Sequence, residues 1–101
     1  MTWDTAADKT AARQYRRARC YGVAGDFDGW EWDLIRAWWG GRCLACGIES
    51  VTVEHVIPLS RGGSNNVVNL QVLCRACNSR KGTSLVDYRE PAALVQLLEL
   101  L

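Results

Sequence analysis

Four of the five cysteines stand in two Cys-x-x-Cys pairs, Cys43 with Cys46 and Cys74 with Cys77. A turn of this spacing lets two sulfurs reach one ion, and zinc favours four thiolates in a tetrahedron. The two pairs therefore predict one structural zinc site, closed to catalysis because the protein fills all four coordination positions. A redox role fits less well, because neither pair stands in a βαβ pattern. Cys20 lies outside both pairs and is assigned no role.

The single histidine, His55, lies between the two cysteine pairs. A lone histidine in a strand can be an ordinary core residue, but its neighbours favour a chemical role. Glu54 precedes it, a loop rich in glycine and asparagine follows, and Asn69 and Asn78 lie downstream. These four polar residues are the candidates for a second site.

Two short strands and a short helix are expected to position these residues. Residues 50–57 are rich in β-branched side chains and predict a strand that Pro58 closes. The loop follows, and residues 69–73 predict a short second strand. The second cysteine pair opens a segment that suits a short helix ended by Gly82.

Three further helices are predicted around these strands. Residues 5–19 are rich in Ala and Arg and contain no Gly or Pro. A capping box of Asp28 and Glu31 predicts the start of a second helix, which ends at Gly40–Gly41. Residues 91–101 predict a third helix with proline in its first turn. Its apolar residues cover much of its circumference, so we expect it to dock on the N-terminal helix or on a partner.

Five tryptophans are many for so short a chain. In the second helix, Trp30, Leu34 and Trp38 recur at a spacing of four residues, and Ile35 widens the stripe. Such a stripe can stack on a ligand or fill a core. Because apolar residues at helical spacing usually pack inward, we expect it in the core.

The composition, 49% hydrophobic and 23% charged over 101 residues, is typical of one folded domain. At this length a hydrophobic core is marginal, so a bound metal would contribute to folding. No apolar run reaches the roughly 20 residues of a membrane span, and the first ten residues lack an apolar signal core. We therefore expect a cytoplasmic protein with reduced thiols.

The formal net charge of +1 does not by itself indicate a nucleic-acid binder. The charges are nevertheless grouped: residues 9–19 hold five bases and no acid, residues 26–33 are acidic, and a second basic group comprises Arg75, Arg80 and Lys81. Each basic group can be either a solvated face or a phosphate-binding surface.

The segment EHVIPLSRGGSNNVVNLQVLCRACNSRKG resembles the HNH endonuclease family, the ββα-metal nucleases. The likeness runs roughly from Trp30 to Gly82 and rests on fixed spacing: His55, thirteen residues, Asn69, eight residues, Asn78. Asn78 stands where the family usually has its last histidine, so the chain resembles an HNN variant with a four-cysteine zinc.

The resemblance implies an α+β fold with a ββα-metal core, in which zinc staples a β-hairpin to a short helix. Helices flank this core on the N- and C-terminal sides. It also implies a division into a basic helical extension at 1–29, a nuclease domain at 30–82, and a C-terminal helix within 83–101 that packs on the domain.

The resemblance further implies a role for each motif residue. His55 matches the general base, which takes a proton from water as the water attacks phosphorus. Glu54 matches the acidic metal ligand before that histidine, where the family more often has Asp, and Asn78 matches the second metal ligand. Asn69 matches the asparagine that ties the loop across the hairpin and holds the histidine in place. Because the two ligands offer oxygen, Mg²⁺ or Mn²⁺ is expected rather than zinc or nickel.

The adjacent positions of Glu54 and His55 in the predicted strand restrict how the site can be built. Adjacent residues of a regular strand point to opposite faces, yet Glu54 and His55 must approach the same phosphate. Either the site straddles the end of the strand, or the strand is distorted near Pro58.

The function implied by the resemblance is that of a metal-dependent DNA endonuclease, which nicks or cuts both strands. Weak sequence preference is expected, because no base-reading element is evident. Arg75, Arg80 and Lys81 are expected to grip phosphates. Similarity to small bacteriophage members implies DNA packaging and a terminase or portal partner. The alternatives are a catalytically weak zinc module that binds nucleic acid or a terminase-like partner, and a purely structural zinc protein.

Overall fold

The structure, a computed structural model, describes residues 5–101, so the first four residues of the predicted extension 1–29 lie outside the described residues. The helices and strands are α1 (Ala6–Tyr21), α2 (Gly29–Trp38), β1 (Thr52–His55), β2 (Leu70–Leu73), α3 (Arg75–Lys81) and α4 (Pro91–Leu100). Two single-turn 3-10 helices, Leu59–Arg61 and Val67–Asn69, lie between the strands. The predicted α+β fold, a hairpin followed by a short helix with helices on either side, is confirmed.

The hairpin is antiparallel and short. Thr52 pairs with Leu73 at one end and His55 pairs with Leu70 at the other. Every residue of β2 is buried, including its glutamine. A two-stranded hairpin is marginally stable by itself in water, so its strands depend on the elements that cover them.

The start of α2 is fixed by the predicted capping box. Asp28 Oδ1 accepts a hydrogen bond from the Glu31 N–H at 2.8 Å, and Glu31 Oε1 accepts one from the Asp28 N–H at 3.0 Å. The two bonds satisfy backbone donors that a helix start leaves without partners.

The predicted inward face of α2 is wrong in part. Trp30 is 65% exposed, whereas Trp32 and Ile35 are 5% and 1% exposed. A close contact at Gly29 decides which face of α2 points inward, since an added Cβ there would overlap Asp8 of α1. Because the two helices touch there, the residues three and six positions further along α2 also turn inward. The remaining members of the predicted stripe are partly buried at the edge of the core.

One apolar cluster joins the helices to the hairpin. Its buried members are Ala7, Ala11, Phe27, Trp32, Ile35, Val53, Leu70, Val72 and Leu97. Leu97 brings α4 into the core that α1 also lines, while Val95 and Leu100 remain 57% and 56% exposed. Within residues 5–101, no helix is both long and apolar enough to cross a membrane.

Residues 83–90 are bonded to the outside of the hairpin. The buried side chain of Gln71 donates to Val86 O and accepts from the Tyr88 N–H, both at 2.9 Å. Arg89 donates from Nη1 to the carbonyl oxygens of Val68 at 2.6 Å and Leu70 at 3.2 Å. The chain after α3 is therefore attached to β2 before α4 begins.

We predict that Trp32→Ala lowers the free energy of unfolding by about 3–5 kcal/mol, because it empties a buried site between α1 and the hairpin. Trp30→Ala is the matched control on the same helix, and we expect a change within about 0.5 kcal/mol, because Trp30 faces solvent. Chemical denaturation of both variants measures the difference. Equal losses of stability would show that α2 presents a different face to the core.

Candidate metal centre and catalytic site

The four paired cysteines come together in the fold. The first pair lies in a turn closed by a bond from the Gly47 N–H to Cys43 O at 2.8 Å, and the second opens α3, where Cys74 is the N-cap. The four Sγ atoms lie within 4.8 Å of one another, and those of Cys46 and Cys74 are 3.7 Å apart. A tetrahedron of sulfurs ~2.3 Å from zinc has edges of roughly 3.8 Å, so the cluster can hold a zinc ion. Cys20 is exposed and lies outside it.

The pKa values of two thiols in the cluster shift in opposite directions. Burial raises the pKa of the Cys43 thiol, but hydrogen bonds from backbone N–H groups, including that of Cys74, outweigh burial and lower the pKa to about 6. The Arg80 guanidinium lowers the pKa of Cys77, but burial and hydrogen bonds with the other three thiols raise it to about 11. Arg80 donates from Nη2 to Cys77 Sγ at 3.0 Å. A guanidinium at this distance offsets part of the excess negative charge of four thiolates around a divalent ion. Arg80, predicted to grip a phosphate, therefore also has a partner inside the protein.

His55 is the last residue of β1 and is 3% exposed. Its Nε2 lies 2.8 Å from Oδ1 of Asn65, whose side chain is fully buried. Since an amide oxygen can only accept, this contact assigns the ring proton to Nε2 and the lone pair to Nδ1. Burial lowers the pKa of His55, and the bond to Asn65 offsets only part of that effect. The imidazole is therefore neutral at neutral pH, which is the form that can take up a proton.

The carboxylate of Glu54 turns back along the end of the same strand. Its Oε1 accepts a hydrogen bond from the His55 N–H at 2.9 Å. Its Oε2 is buried, accepts no hydrogen bond within residues 5–101, and lies 3.3 Å from Lys81 Nζ. Burial raises the pKa of Glu54, and the charge of Lys81 opposes the rise.

One cavity of about 210 Å³ is lined by Glu54, His55 and Asn78. Asn78 is half-buried on α3, and its Nδ2 donates to Thr52 Oγ1 at 3.5 Å. Adjacent residues of β1 reach the same cavity because the strand ends at His55 and the Glu54 side chain folds toward that end. Of the two arrangements that the sequence leaves open, the structure has the one that straddles the end of the strand.

Asn69 ties the loop across this end of the hairpin. Its Oδ1 accepts from the Ile57 N–H at 2.9 Å, and its Nδ2 donates to Ile57 O at 2.9 Å and Ser64 O at 2.8 Å. The loop passes so closely that a Cβ at Gly63 would overlap Ile57 O. The direct bond to the imidazole comes from Asn65, which sequence reasoning missed. Only its place in a loop rich in glycine and asparagine gave any signal.

Lys81, which the sequence predicts to grip a phosphate, is buried in the structure. Its side chain has no exposed area, and Nζ donates to Ser84 O at 2.7 Å and to His55 O at 3.3 Å. An ammonium held in this way cannot reach a phosphate at the surface without leaving its partners. Its charge instead compensates the buried carboxylate of Glu54, which would be costly to bury alone.

Comparison with known proteins bears on this region of the chain. Residues 43–90 match the family model described as HNH endonuclease. No individual curated protein and no solved structure matches the chain. The matched residues include both cysteine pairs and the hairpin, whereas α1 and α2 lie before them.

We predict that Cys43→Ser abolishes the cooperative thermal transition, because the loss of one thiolate opens the zinc site that joins the turn to α3. Cys20→Ser is the matched control and should retain both the transition and one bound zinc, because Cys20 lies outside the cluster. Thermal melts with zinc analysis of the purified proteins measure both properties. A Cys43→Ser protein that melts like the wild type without zinc would contradict a structural metal at this cluster.

Proposed function

We propose that the chain, whose residues 43–90 belong to the HNH endonuclease family, is a metal-dependent enzyme that hydrolyses phosphodiester bonds in DNA. The observation that carries the proposal is the shared cavity at the end of the hairpin, where Glu54, His55 and Asn78 meet. A general base and two oxygen donors around one small cavity are the groups that hydrolysis of a phosphodiester requires.

His55 is the proposed general base. Its neutral imidazole accepts a proton from a water molecule as the water oxygen bonds to phosphorus. The bond between phosphorus and the 3′ oxygen breaks, and that oxygen takes up a proton from solvent. The products are a 5′-phosphate and a 3′-hydroxyl. Asn65 and the loop tied by Asn69 support this role by fixing the ring at the end of β1.

Glu54 and Asn78 are the proposed ligands of the catalytic ion. The fit rests on Glu54 Oε2, a buried oxygen without a hydrogen bond within residues 5–101, in a residue that lines the same cavity as Asn78 of α3. A purely oxygen donor set suits Mg²⁺ or Mn²⁺. When bound, such an ion neutralises charge that develops on the phosphate and the leaving oxygen.

The ammonium of Lys81 lowers the affinity of the proposed site for a metal ion. This ammonium lies 3.3 Å from the same Glu54 oxygen that would bind the ion, so the two cations repel one another. We infer that the ion binds weakly until a DNA phosphate adds negative charge to the cavity. The ammonium also keeps the Glu54 carboxylate compensated while no ion is bound.

A second candidate function is a zinc module that binds nucleic acid or a protein partner without cutting DNA. The same ion pair favours it, because Glu54 is only 8% exposed and already has a cation beside it. A role in bacteriophage DNA packaging, in the host cytoplasm and with a terminase or portal partner, rests on the resemblance to phage members alone. Co-purification with a terminase from the same genome would test it.

We predict that the zinc-loaded protein nicks supercoiled plasmid when Mg²⁺ or Mn²⁺ is added, and that His55→Ala lowers the rate by about 10²–10⁴-fold, because it removes the general base. Glu54→Gln and Asn78→Ala should instead raise the Mn²⁺ concentration needed for half-maximal rate. Cys20→Ser is the control for activity lost during preparation of a variant, and it should cut DNA at the wild-type rate.

Each variant must first show the wild-type melting transition and zinc content, so that lost activity reflects the site and not unfolding. Equal rates for the wild type and His55→Ala would contradict the role of His55. Folded protein that binds DNA but cuts none with either ion would favour the zinc module.

A further inference from the structure

The basic run of α1 is divided between two faces of the helix. Arg13 and Arg17 are four residues apart and lie on one face, where they line a groove of about 460 Å³. Arg16 lies on another face and lines a separate cavity of about 510 Å³ together with Asp8, Asp26 and Asp28. Arg13 and Arg17 therefore line a basic groove, whereas Arg16, from the same run of the sequence, lines a cavity of mixed charge.

The basic groove opens between α1, β1 and α3. Arg75 of α3 joins Arg13 and Arg17 among its lining residues, and no acidic residue lines it. Within residues 5–101, no carboxylate pairs with any of these three arginines. Arg13 donates to Thr10 and Arg17 to Gln14, and both acceptors line the same groove. Three cations therefore share a groove without a neutralising group from the protein.

The groove continues into the catalytic cavity. Arg17, Val53 and Asn78 line both, so the two spaces meet along β1. Arg17 also acts by its charge on both Glu54 and His55, so it is the cation of α1 nearest the proposed chemistry. The other bases near the motif are less available, since Lys81 is buried and Arg80 is bonded to Cys77.

We propose that this groove binds the backbone of the DNA strand that is cut, and that Arg17 positions the scissile phosphate over Glu54, His55 and Asn78. Arg13 and Arg75 bind phosphates further along the strand. The inference rests on the proposed function in taking DNA as the substrate. It assigns a substrate-positioning role to α1, which lies outside the residues that match the family model.

A polyanion is the chemistry that this groove fits. Each phosphate of the backbone brings one negative charge, and binding it releases condensed counterions, so the affinity depends steeply on salt. The bidentate guanidinium suits phosphate oxygens. An acidic protein segment would meet the same three cations, and the experiment below distinguishes it from DNA.

The test measures binding of a fluorescent DNA duplex to zinc-loaded protein without Mg²⁺ or Mn²⁺, by anisotropy over a range of salt concentrations. The slope of log K against log salt should become shallower by about 0.9 for Arg17→Gln and by about 1.8 for Arg13→Gln combined with Arg17→Gln. Glutamine keeps the helix propensity of arginine while it removes the charge. Arg16→Gln, on the other face of α1, is the matched control and should leave the slope within error of the wild type.

The binding assay separates this inference from the proposed function, because it does not require cleavage. Equal slopes for Arg17→Gln and Arg16→Gln would overturn the groove assignment, even if the protein cuts DNA. The assignment is also wrong if duplex DNA does not bind at all. That result is expected if the groove instead binds an acidic protein segment. The expected slopes would uphold it even if no metal supports cleavage. In an active enzyme, Arg17→Gln should raise KM more than it lowers kcat, because phosphate binding and not proton transfer is lost.

Discussion

The cluster of four thiolates is the constraint on which the rest of the structure depends. It closes the end of the hairpin at which Thr52 pairs with Leu73, and it fixes the first turn of α3 beside that end. From there α3 runs alongside β1, so Asn78 contacts Thr52 and Lys81 reaches the backbone of His55. A two-stranded sheet cannot hold a helix in this position by itself. The cysteine cluster therefore lies at one end of the hairpin, and the cavity lined by Glu54, His55 and Asn78 lies toward the other end.

Burial of charge is the second organising feature. Glu54 and Lys81 face each other with almost no exposed side-chain area, and such a pair is costly unless each ion is well compensated. The backbone supplies that compensation, since the His55 N–H binds one oxygen of Glu54 and two carbonyl groups bind Lys81. The other oxygen of Glu54 accepts no hydrogen bond within residues 5–101 and lies 3.3 Å from the Lys81 ammonium. A divalent ion proposed at this oxygen would be repelled by the ammonium, and a substrate phosphate would offset that repulsion.

Structural features that depend on a local pattern or on fixed residue spacing were predictable from the sequence. The paired cysteines, the hairpin and the capping box of Asp28 follow from short-range patterns and are found in the structure. The inward face of α2 was not predictable, because its apolar residues fit two helical faces and the contact of Gly29 with α1 decides between them. The burial of Lys81 was not predictable, because a basic residue in a charged segment gives no sign of burial. Arg17 lines the cavity from the distant helix α1, and Asn65 reaches the imidazole by the fold of the loop that follows β1.

We propose that a water molecule activated at His55 attacks a phosphodiester held at the end of the hairpin. The most direct test is the chemical nature of the ends formed when zinc-loaded protein and Mn²⁺ act on an end-labelled DNA duplex. We expect a 5′-phosphate and a 3′-hydroxyl at each cut, formed about 10²–10⁴-fold more slowly by a folded His55→Ala protein. A 3′-phosphate at the cut, or the same ends formed at the same rate by His55→Ala, would contradict the account.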